Sequence, residues 1–172
     1  MEKNECYIGS PAGIILCVNG RADGNTIGYF YHAYSREGVK VSSMEGLVFS
    51  MDRFFDRLGF PFPDTNQRVF LKTQARTIRK ERMIKVMSDD ELLKKHGDIG
   101  TFIIRVQHRQ HSSWQGLVTW VEENKTVPFR SALELIKMID GAVSDGDEET
   151  DLQSLVGRVG KREDDRSGGI QL

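Results

Sequence analysis

Cysteine is scarce: Cys6 and Cys17 are the whole complement. That excludes a disulfide framework and leaves reduced thiols in a cytoplasmic protein as the expectation. No run of 18 apolar residues occurs, so no helix is expected to span a bilayer. Met1-Glu2-Lys3-Asn4-Glu5 lacks the basic-then-apolar layout of a signal peptide. Surplus charge is missing too. With 24 Lys+Arg against 25 Asp+Glu, the net charge is −1 over 172 residues, which argues against a strongly basic nucleic-acid binder. Gly-x-Ser-x-Gly, Walker-type and Gly-x-Gly-x-x-Gly elements are absent. Hydrolase, NTPase and dinucleotide chemistry therefore lack a nucleophile or a phosphate cradle, and no cofactor is expected.

The candidate residues for chemistry each have a plainer explanation. His108-x-x-His111 offers two metal ligands where zinc needs three or four, and both cysteines are far off in sequence, so no metal site is expected. Asp89-Asp90-Glu91 falls in the first turn of an expected helix, where the macrodipole favours carboxylates. No acid, base and nucleophile constellation emerges, and a non-enzymatic protein is the expectation.

What is present is pattern. The composition, 38% hydrophobic, supports a real core. Phe102–Gln107 and Trp114–Glu122 have strand character, Thr126–Phe129 is a short third strand, and Ser131-x-x-Glu134 has the capping-box form. Leu133, Ile136, Ile139 and Val143 then give a helix its apolar stripe. Ile14–Asn19, Gly28–Tyr34 and Val39–Val41 repeat that order. A capping box at Ser42-x-x-Glu45 opens a helix that carries Leu47, Met51, Phe54 and Phe55 and stops at Gly59. Laying Ile14–Asp52 on Phe102–Asp140, a shift of 88 residues, matches 8 of 39 positions without gaps. Among them are Ile15/Ile103, Arg21/Arg109, Gly28/Gly116, Ser43/Ser131 and Asp52/Asp140.

The fold expected is α+β: two related βββα units, residues 1–60 and 101–143, with antiparallel strands and helices on one face. They form either one six-stranded sheet or two small ones. Residues 61–100 are a basic connector (Arg68, Lys72, Arg76, Arg79, Lys80, Arg82, Lys85) with a short helix begun by Ser88-x-x-Glu91 and running through Lys95. Residues 144–172 read as a disordered acidic tail. From Ala142 onward eight acidic and four basic residues occur with no aromatic, and setting them aside leaves a body of 20 basic and 17 acidic residues, net +3.

The stretch Arg105, Gln107, His108-Arg109-Gln110, Ser113-Trp114-Gln115-Gly116, Thr119-Trp120, Phe129-Arg130-Ser131 and Glu134-Leu135 resembles a family of small uncharacterised Firmicutes proteins with an RQ…SWQG…W…FRS…EL pattern. That resemblance implies a bacterial origin and one βββα unit, and supplies no site. The βββα order is also similar to the three-stranded-sheet DNA-binding domains of plant transcription factors and phage integrase arms, which implies topology only.

The candidate site follows from strand alternation. If Phe102, Ile104 and Val106 face the helix, then Arg105, Gln107 and Arg109 face away, and Gln115 on the next strand joins them. With Arg130 these residues make a candidate binding face on the open side of the sheet, expected to be solvated. The favoured function is a regulatory or adaptor module with a protein partner. The alternatives are nucleic acid, held by the sheet arginines and the connector, and a small nucleotide stacked on Arg and Trp.

Overall fold

The computed structural model describes residues 6–65, 68–71, 81–111 and 113–144. The expected tail beyond Ser144 and the connector residues Lys72, Arg76, Arg79 and Lys80 lie outside the described residues.

Strands β1 (Ile14–Ala22), β2 (Asn25–His32), β3 (Val39–Val41), β4 (Gly100–His108), β5 (Gln115–Trp120) and β6 (Lys125–Phe129) form one sheet in the order β3-β2-β1-β4-β5-β6. Every neighbouring pair is antiparallel. Helices α1 (Met44–Leu58), α2 (Asp89–Leu93) and α3 (132–144) complete an α+β architecture. β1 reaches Ala22 because Asp23 and Gly24, with φ of 52° and 76°, close a two-residue hairpin turn whose twist suits the strands. β2 therefore begins at Asn25, earlier than the expected Gly28.

One face of the sheet packs on α1 and α3. Ile14, Leu16 and Val18 of β1 and Phe102, Ile104 and Val106 of β4 meet Leu47, Met51 and Phe55 of α1 and Leu135, Ile139 and Val143 of α3. On α3 the buried stripe is Leu135, Ile139 and Val143, at i, i+4 and i+8, while the expected Leu133 is exposed. The N-cap of α1 is Ser43 rather than Ser42. Its backbone is extended and its hydroxyl accepts from Gly46 N, as Ser131 accepts from Glu134 N. Gly59, in the left-handed region at φ 70°, ends α1.

The opposite face is not bare. Ile15, Cys17 and Ile103 lie beneath Ile8 of the N-terminal segment and Met87 and Leu92 of the connector. The connector is tied down by Val86 and Met87 amides donating to Ala33 O and by Ile99 N donating to Val18 O. Ser88 and Glu91 form the expected reciprocal capping box of α2, which ends at Leu93 rather than Lys95. Met83–Met87 is neither strand nor helix.

The pairing register has a twofold relation. In the β1–β4 ladder Ile15 lies opposite Ile103, flanked by Ile14 opposite Ile104 and Leu16 opposite Phe102. A bulge interrupts β1 between Val18 and Gly20 and β4 between Val106 and His108. Gly28 lies opposite Val41 and Gly116 opposite Phe129. Both glycines are demanded by close backbone approach, since a methyl there would sit 2.0 Å from the carbonyl oxygen of Cys17 or of Arg105.

Candidate functional site

The five residues of the expected face do not converge. Arg105 points away from the helices, as alternation requires, but is only 5% exposed. The N-terminal segment covers it: its guanidinium lies 4.7 Å from the ring centre of Tyr7, and Nη2 donates to Thr119 Oγ1 at 2.9 Å. Thr119 in turn bonds Thr126 at 2.8 Å. The Tyr7 π-face and one hydroxyl stand where a carboxylate is usual, and Nε has no partner among the described residues.

Arg109 is 4% exposed and lies on the other side of the sheet. The bulge between Val106 and His108 inserts a residue, reverses the alternation and sends Arg109 to the helix face. There Nη1 contacts Asp52 at 3.0 Å and Asp56 at 2.8 Å on α1, Nε donates to Pro61 O at 2.5 Å, and the guanidinium lies 5.7 Å from the Phe55 ring centre. The expectation of two solvated arginines on one face is thus corrected for both, for different reasons: an unforeseen cover at Arg105 and a parity switch at Arg109.

The other three occupy separate places. Gln107 is exposed. Gln115 is half-buried and closes the β4–β5 loop, accepting from Gln110 N and donating to Gln110 O. Arg130 is exposed on the far edge, where its guanidinium pairs with Glu134 at 3.3 Å. Its backbone N–H donates to the same carboxylate and holds Glu134 below the ordinary carboxyl range.

Arg109 positions a neighbouring feature. Its own carbonyl accepts from Asp64 N, and Pro63 bridges to it, so the segment after α1 is fastened to the end of β4. That segment displays Phe60, 42% exposed, and Phe62, 66% exposed, on either side of Pro61. Of the eleven exposed large hydrophobics among the described residues, six fall between Phe60 and Val86, so the unburied apolar surface is concentrated in the connector. The available signal was the run Phe60-Pro61-Phe62-Pro63, aromatics in a turn region where burial is hard to arrange.

Two buried titratable groups lie apart from this segment. His32 stacks on Phe54 at 4.2 Å and 7°, and its Nδ1 accepts from Tyr34 N. Burial, with the Arg57 charge second, lowers its pKa to about 4. Burial likewise pushes the Cys17 thiol up to about 11, which leaves it protonated and unreactive. Among the described residues no three His, Cys, Asp or Glu side chains are grouped to hold a metal ion, and no helix is long and apolar enough to cross a membrane.

No family model matches the chain, and no curated protein or solved structure gives a significant match.

Proposed function

We propose that the chain is a non-enzymatic binding module of two related βββα units, and that its partner is another protein engaged by the aromatic segment Phe60–Phe62. The repeat is supported by the common displacement of 88 residues in bulges, glycines, pairing register and helix caps. Reciprocal ion pairs add to it. Arg21 reaches Asp140 at 3.3 Å as Arg109 reaches Asp52, each strand end gripping the other half's helix.

The observation that carries the partner reading is the exposure of Phe60 and Phe62 on a segment held by the buried Arg109. An exposed aromatic costs little ordering entropy on binding when its backbone is already fixed, and aromatics dominate interface energetics. The sheet arginines no longer favour nucleic acid, since one is neutralised by two aspartates and the other lies beneath Tyr7.

A photo-crosslinking residue placed at Phe62 in cells, with one at exposed Leu133 as the control, tests this. A protein captured from position 62 alone, which then binds the purified chain and loses at least tenfold affinity for Phe62→Ser, is the expected result. Equal capture at both positions would defeat the proposal, as would binding to nucleic acid that collapses with salt.

A further inference from the structure

We propose that the cavity between α3 and the β5–β6 edge is a binding site for a small aromatic carboxylate, independent of the partner surface above. The cavity has a volume of about 310 Å³, at the small end of ligand pockets, which span roughly 300–1,000 Å³. Phe102, Val118, Trp120 and Ala142 line it, with the exposed Lys125 and Lys137 at its margin.

The cavity lies where the first half carries a ring. In the first half, His32 of β2 lies opposite Ile14, and Phe54 of α1 stacks on it face to face at 4.2 Å. In the second half Trp120 of β5 lies opposite Phe102 in the matching register, but the residue at the place of Phe54, counted from the serine cap, is Ala142. Val118 likewise stands where the first half has Phe30. Protein interiors are close-packed, and an apolar void left by a deleted side chain stays dry and accepts aromatic guests. A flat ring seated above Ala142 would stack on Trp120 as Phe54 stacks on His32.

One polar feature chooses the rest of the ligand. The lining holds two ammonium groups and no carboxylate, and neither lysine has an acidic partner among the described residues. An aromatic body with one carboxylate satisfies the stacking surface and the charge together.

Full-length protein titrated with 2-naphthoate, read by the indole N–H signal of Trp120 in a proton–nitrogen NMR spectrum and assigned with Trp120→Phe, tests the site. Saturable shifts of that signal are expected. Ala142→Phe should refill the place of the ring and weaken binding at least tenfold, and Val118→Phe, the second filler, should do the same if the first variant folds poorly. Lys125→Gln/Lys137→Gln should weaken 2-naphthoate at least fivefold and leave the neutral 2-naphthamide unchanged. No shift at millimolar 2-naphthoate would overturn the proposal. So would wild-type affinity in a folded filler variant, or a Trp120 shift that follows protein concentration with no probe added and assigns the cavity to a second copy.

Discussion

Replacing Arg109 by Ala removes the fastening between β4, α1 and the Phe60–Phe62 segment, and the loss can be worked from the contacts. The guanidinium is 3% exposed at its side chain and carries charge-assisted bonds to Asp52, Asp56 and Pro61 O. Breaking a buried pair by deleting one partner costs about 3–5 kcal/mol, because the charge left behind is poorly solvated. Asp52 and Asp56 are 28% and 13% exposed and keep further partners, which places Arg109→Ala near the lower end, about 3 kcal/mol. For a body of this size that corresponds to about 10 °C in Tm.

The internal control is Arg21→Ala. Arg21 pairs with Asp140 at 3.3 Å and with Ser144, but its side chain is 23% exposed and that of Asp140 is 51% exposed. Water already solvates much of that pair, so its loss is expected to cost no more than about 1 kcal/mol. Urea melts of the two variants, fitted with a common m-value, make the comparison. Equal losses for Arg109→Ala and Arg21→Ala, or an Arg109→Ala value within about 0.5 kcal/mol of the parent, would refute the claim that burial sets the strength of these matched pairs.

The remaining expectations concern buried groups and glycines. His32 has a folded-state pKa of about 4 against an ordinary 6.5, so the neutral ring's contribution is complete above pH 6.5 and is lost as pH falls toward 4. The loss amounts to about 3 kcal/mol, and His32→Phe should flatten it in melts taken across that range; an unchanged acid limb would sink the assignment. A thiol reagent at pH 8 should modify half-buried Cys6 first and reach buried Cys17 only at the unfolding rate; fast labelling of two thiols would contradict that burial. Gly116→Ala drives a methyl to 2.0 Å from Arg105 O and should cost about 3 kcal/mol by calorimetry. Gly141→Ala, on exposed helix with nothing within 4 Å, should gain about 0.5–1 kcal/mol, and a wild-type melt for both would show the backbone approach to be wrong.

Much of the fold was legible because it depends on local chemistry. Serine caps, Gly59 after α1 and the extended apolar runs of β1 and β4 are consequences of neighbouring residues alone. The matched Arg21/Arg109 and Asp52/Asp140 also stood in the sequence, as alignment identities whose meaning was hidden. Only the antiparallel β1–β4 ladder carries each arginine onto the other half's aspartate. The candidate face failed because alternation assumes an uninterrupted strand and says nothing about a distant segment lying on top of it.

The amino-acid sequence by itself determined the elements, their order and the parity of β4 that packs on the helices, since these follow from interactions a few residues long. Tertiary structure alone decided that the halves share one sheet, that a bulge turns Arg109 toward Asp52 and Asp56, and that Tyr7 closes over Arg105. It also decided that a cavity of about 310 Å³ lies beside Trp120 and Ala142. Each of those depends on groups far apart in the chain. Their meeting is fixed by strand register and the drive to fill and cover the sheet, which no local pattern encodes.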